Sequence, residues 1–141
     1  MNNYFDELFK VLVLDEGGWV NDKDDAGGET YLGVTRRDHP NAKFWATIDY
    51  IKKTFGIAGI NNRLKDIPDV INEIKGIYKS QYYLASGAAY VNSKLLAQQI
   101  FDHAVNAGVG SAILLAYELV GLTKSTKLTD ELINKLKEYG Q

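Results

Sequence analysis

The chain has 141 residues, enough for one domain that folds without metal or disulfide, and at 45% hydrophobic and 24% charged it is too apolar for disorder. Lys and Arg total 16 against 18 Asp and Glu, so a net charge of −2 argues against a nucleic-acid partner, which favours a basic surplus. The absence of cysteine excludes a disulfide framework, a thiol nucleophile and a Cys-ligated zinc site, and two histidines, His39 and His103, make no metal centre; the expected cofactor and metal content is none. No run approaches the roughly 20 apolar residues that span a bilayer, so membrane insertion is not expected. Asp6, Glu7 and Lys10 interrupt the apolar N-terminus, which lacks a basic leader region and does not read as a signal peptide. A chain made in the cytoplasm is expected, and work outside it would require release or export by other means.

The elements follow in chain order. Phe5, Leu8, Phe9 and Leu12 fall on one helical face and predict a helix over 4–15, with Asp6 and Glu7 in its first turn and Gly17-Gly18 as its stop. Residues 19–35, with Gly27, Gly28 and Gly33, read as a structured loop with one short hairpin. Ile48, Ile51 and Phe55 line a helix stopped by Gly56, and Pro68 fits the first turn of a helix whose inner stripe is Val70, Ile71, Ile74, Ile77 and Tyr78. Ser93 is the expected N-cap of a helix over 94–107 closed by Gly108. A buried helix is expected over 111–120, and a last one from Thr129 to Gly140 through Leu132, Ile133 and Leu136. The expected fold class is all-α in the main, as one domain over 1–141.

Chemistry concentrates between Glu16 and Thr30. Glu16 is expected at a helix C-terminus, where unpaired carbonyls place partial negative charge, with Leu14 and Trp19 near it in sequence. Both features disfavour a carboxylate and favour a protonated acid, the group that protonates a leaving oxygen in a glycosidase. Asp25, nine residues on in a polar glycine-rich loop, is expected to stay ionised, and the two together make an acid and base pair. The plainer alternatives are a surface helix end for Glu16 and a solvated turn for Asp22, Asp24 and Asp25. Counted from Asp22, the twelfth loop position is Gly33 rather than a bidentate Glu, so the calcium-loop spacing fails. Lys23, Arg36 and Arg37 read as solvated charges, with contact to an acidic polymer as the alternative.

The run Glu16-Gly17-Gly18-Trp19-Val20-Asn21-Asp22, followed by Asp25, Gly27-Gly28, Thr30, Gly33 and Thr35, resembles the N-terminal signature of glycoside hydrolase family 108. Ile77-Tyr78-Lys79-Ser80-Gln81-Tyr82-Tyr83 and Phe101-Asp102-His103-Ala104-Val105-Asn106-Ala107-Gly108 are similar to later stretches of that family. The resemblance covers about residues 5–120 and implies a lysozyme-like helical domain with a short irregular loop or hairpin after the first helix. Within it, about 1–90 would be the catalytic part and about 91–141 a reduced peptidoglycan-binding-like segment packed on it. Trp19 stands where the family has Tyr, Ala26 where Pro is common and Tyr31 where Asn is common. The stretch 122–130 lacks the family's glycine- and proline-containing wall-binding motif.

The resemblance implies an N-acetylmuramidase of the phage endolysin or secretion-activator type, with peptidoglycan glycan strands as substrate and a monomer as the working unit. Glu16 corresponds to the catalytic glutamate, Asp25 positions or activates water, and Thr30 helps orient that water. Tyr82 and Asn106 line the sugar cleft, unless Tyr82 is core and Asn106 caps its helix. Two other readings use the same fold: a lytic transglycosylase, which needs no water-activating carboxylate, and a non-catalytic murein-binding or secretion-associated module.

Overall fold

The computed structural model describes residues 1–14, 17–22, 24 and 28–139. In chain order its elements are α1 (Phe5–Phe9), a π-helical turn (Lys10–Leu14), β1 (Trp19–Asn21), β2 (Glu29–Tyr31), β3 (Val34–Thr35), α2 (Phe44–Phe55), α3 (Ile60–Leu64) and α4 (Pro68–Tyr78). A second π-helical turn (Lys79–Leu84), a 3₁₀ turn (Ala88–Tyr90), α5 (Lys94–Ala107), α6 (Val109–Val120) and α7 (Asp130–Glu138) complete it. This is the mainly helical class, with a hairpin after the first helix, that the sequence predicts for a lysozyme-like domain. The chain divides into two compact units, Val11–Gly76 and Met1–Lys10 with Ile77–Gln141.

In the Val11–Gly76 unit the three strands form one antiparallel sheet in the order β1-β2-β3, with Trp19 opposite Tyr31, Asn21 opposite Glu29 and Tyr31 opposite Val34. Leu32 and Gly33 join β2 to β3 with φ of 49° and 82°. Positive φ at both central residues makes a hairpin turn whose twist matches that of the strands. The cost of a left-handed leucine is tolerated because its side chain is buried. Helix α2 buries Phe44, Trp45, Ile48 and Ile51, and Glu73 of α4 caps its start by accepting from the amides of Lys43 at 2.7 Å and Phe44 at 2.6 Å. Gly56, at φ 78°, ends it as predicted.

In the other unit Ser93 and Thr129 cap α5 and α7, their hydroxyls accepting from the amides of Leu96 and Leu132. Its core is aromatic: the Phe101 ring meets those of Phe5 at 5.8 Å and Tyr83 at 5.3 Å, and Phe5 meets Tyr83 at 5.1 Å. The N-terminus is held down by Asn2, whose side-chain amide donates to the carbonyls of Ala88 at 2.9 Å and Val91 at 2.8 Å.

The two π-helical turns depart from the predicted α periodicity in the same way. The first helix leaves the α register after Phe9, and the buried residue is Val13 rather than the expected Leu12. A π turn closes hydrogen bonds five residues apart, so it aligns Leu8 with Val13 instead of with Leu12. After α4 the same shift buries Tyr83, five residues from the buried Tyr78, and leaves Tyr82 half-buried. Among the described residues no helix is long and apolar enough to cross a membrane.

Candidate active site

Of the residues singled out from the sequence, Glu16 and Asp25 lie outside the described residues, as does Lys23. Their flanks form the sheet of the Val11–Gly76 unit. Side chains alternate across a strand, so Glu29 and Tyr31 share one face of β2 and Thr30 takes the other. The face with Glu29 and Tyr31 is buried and also carries Trp19 and Val34. Thr30 is half-buried and sits between its cross-strand partners Val20 and Thr35 on the more open face. The open face thus carries the hydroxyl expected to orient water.

Behind the sheet the buried face holds an ion cluster. The Glu29 side chain is only 8% exposed and accepts from Nζ of Lys52 at 2.7 Å, Trp19 Nε1 at 2.8 Å and Arg36 at 2.9 Å. Arg36 grips Asp49 of α2 through two parallel bonds of 2.7 Å, and Lys52 lies 3.5 Å from the same carboxylate. The guanidinium also lies 5.4 Å from the Trp45 ring centre, and the Lys52 ammonium 5.7 Å from that of Trp19. Two cations therefore neutralise two carboxylates, and α2 is tied to β1 and β2 through charge.

Burial alone pushes the Glu29 carboxyl up, yet hydrogen bonds from Lys52, Arg36 and Trp19 outweigh it and hold it below the usual Glu value. The Arg36 hydrogen bonds likewise lower Asp49, and the two carboxylates raise Arg36. Glu29 is thus a fixed anion rather than a proton donor. Arg36 is correspondingly no free solvated charge, which corrects the expectation from sequence. Arg37 does lie on the surface, 3.2 Å from Asp38, and the amide of Asp24 donates to Asp22 at 3.0 Å as in a solvated turn. Among the described residues no group of three or more His, Cys, Asp or Glu could hold a metal ion.

Tyr82 and Asn106 belong to the other unit. Tyr82 stacks at 5.2 Å on Tyr78, and the carboxamide of Asn106 donates to the Asp102 carbonyl at 3.0 Å and the Asp102 carboxylate at 2.9 Å. Asn106 is exposed at the last turn of α5, where its donors serve its own helix. Sequence reasoning missed Glu29, Asp49 and Lys52. A usable signal existed for the first: Glu29 shares strand parity with the apolar Tyr31, which faces an acid inward and demands cations.

The glycosyl hydrolase 108 family model matches residues 9–108, a span that contains the whole signature from Glu16 to Thr35 and both later motifs. The chain belongs to the glycosyl hydrolase 108 family. Its fold is similar to the structure of Brucella abortus SagA, with a TM-score of 0.63 and 17% identity over 96% of this chain and 70% of that one. No curated protein matches the sequence. Membership of the glycosyl hydrolase 108 family assigns the chain to the glycoside hydrolases of peptidoglycan-hydrolase type.

Proposed function

We propose that the chain is an N-acetylmuramidase that hydrolyses the β-1,4 bond between N-acetylmuramic acid and N-acetylglucosamine. The observation that carries this reading is the family match across residues 9–108, within which Glu16, Asp25 and Thr30 stand together in the signature. Glu16 gives its proton to the glycosidic oxygen as the bond to the anomeric carbon breaks and an oxocarbenium-like centre forms. Asp25 stabilises that centre or takes a proton from the water that adds to it, and Thr30 orients the water. Carboxyl groups about 6.5–9.5 Å apart go with inversion, and about 5–5.5 Å with retention. Tyr82 and Asn106 contribute saccharide contacts in this reading, through an aromatic face and an amide.

The substrate is the glycan strand of peptidoglycan, the working unit is a monomer, and neither nucleic acid nor membrane insertion takes part. A chain made in the cytoplasm reaches the wall by release or export. Mass spectrometry of muropeptides released from purified murein tests the reaction: reducing-end products support hydrolysis, and anhydro products would replace it with lytic transglycosylation. Saturable binding with no product would reduce the chain to a murein-binding module.

A further inference from the structure

The double glycine of the signature is expected to terminate a helix, but Gly18 meets a more specific demand. Its φ lies outside the left-handed region, so an L-residue could adopt its backbone. Space is what a side chain there would lack. A Cβ on Gly18 would lie 2.8 Å from Oδ1 of Asn61 and 3.0 Å from its Cγ and Nδ2. The same Oδ1 accepts a 2.6 Å hydrogen bond from the backbone N–H of Trp19, the first amide of β1. One carboxamide therefore fills the space beside Gly18 and satisfies the residue after it.

Asn61 is exposed, but its helix is anchored. It lies on α3 between Ile60 and Leu64, both buried, and Arg63 of the same helix stacks 3.8 Å over the Phe55 ring of α2. Gly18 is two residues, and Trp19 three, after Glu16. On its far side Trp19 is tied through its indole to Glu29. The backbone leaving Glu16 thus meets a hydrogen-bond acceptor on a packed helix within three residues.

We propose that Asn61 is a positioning residue for the reaction, whose carboxamide locks the backbone at Gly18 and Trp19, the second and third residues after Glu16 in sequence. The inference rests on the reading of Glu16 as general acid. A single hydrogen bond adds little to stability, but a catalytic group misplaced by about 1 Å loses on the order of a hundredfold in rate. Loss of Asn61 therefore acts on turnover more than on folding.

The test compares kcat, KM and thermal midpoints on purified murein for Asn61→Ala, Asn61→Asp, Gly18→Ala and the Gly18→Ala/Asn61→Ala double variant, beside Glu16→Gln. Asn61→Ala is expected to lower kcat about tenfold or more with KM within about twofold. Asn61→Asp keeps an acceptor for the Trp19 amide and restores most of the rate. Gly18→Ala drives its Cβ into the carboxamide and loses rate comparably, whereas in the Asn61→Ala background, where that group is gone, it adds no further loss. If the Ala variant fails to fold, Asn61→Asp and Gly18→Ala carry the comparison. Unchanged kcat in Asn61→Ala, an Asp variant no better than Ala, or losses that multiply in the double variant would each overturn the inference. Activity retained in Glu16→Gln would instead overturn the reading of Glu16; an inactive Glu16→Gln beside an unimpaired Asn61→Ala overturns only the positioning role.

Discussion

The indole Nε1 of Trp19 donates a 2.8 Å hydrogen bond to Oε2 of Glu29, joining β1 to a buried charge on β2. The same oxygen accepts from Lys52 of α2 at 2.7 Å, so one carboxylate links two strands and a helix. Strands β1 and β2 are therefore joined through this carboxylate as well as by their ladder hydrogen bonds.

Glu29→Gln removes the anion that the partly exposed Lys52 and Arg36 face and weakens their charge-assisted hydrogen bonds. The expected destabilisation is about 2 kcal/mol, since both cations keep Asp49 as a partner. Thermal denaturation checks it, and Glu29→Gln with Lys52→Met should recover part of the loss because it removes both ends of the pair.

The pH dependence of stability follows from the same groups. Glu29 and Asp49 titrate lower in the folded chain than when unfolded. Their stabilisation is therefore complete above the ordinary carboxylate range and is lost as the pH falls through their folded values. The half-exposed Asp49 contributes the smaller share. At the alkaline end, burial pushes the Tyr83 hydroxyl up to about 12. Its contribution is complete below the ordinary tyrosine value near 10 and is lost as the pH rises from there through about 12. Thermal midpoints across pH should be flat between these limits, and Glu29→Gln should flatten the acid limb.

Gly33→Ala tests the hairpin turn. With φ of 82° in a turn that needs the left-handed region, an L-side chain costs about 1–2 kcal/mol. The thermal midpoint should fall by a few degrees, and a neutral result would contradict the turn geometry.

Phe101→Ala tests the aromatic core of the other unit. The fully buried ring meets Phe5, Tyr78 and Tyr83, and its removal is expected to cost about 3–5 kcal/mol. Urea unfolding measures the loss, and its midpoint should move with little change in slope.

Much of the fold was legible because local chemistry and tertiary structure agree. Ser93 and Thr129 cap helices as their side chains predict, Pro68 opens α4, and Gly56 and Gly108 close α2 and α5. The π-helical turns were not legible, because an α stripe selects Leu12 and Tyr82 while a five-residue repeat selects Val13 and Tyr83, and both patterns are apolar or aromatic. Helix α3 was missed because five residues that follow a glycine give no helical period. For the candidate site the motif points to Glu16, Asp25 and Thr30, whereas it carries no signal for the charge cluster around Glu29. Arg36 reaches Glu29 across the hairpin, 7 residues on, whereas Lys52 and the second partner of Arg36, Asp49, lie 23 and 20 residues away and join the cluster only when α2 packs against the sheet.

The proposed mechanism turns on Glu16 as the general acid of a murein hydrolase. The decisive measurement is the clearing rate of a murein suspension by Glu16→Gln beside the unaltered chain, with matched thermal midpoints. The glutamine cannot donate the proton, so clearing and the release of reducing ends should fall by about a hundredfold or more while the fold persists. A folded variant that clears murein at the unaltered rate would contradict the assignment.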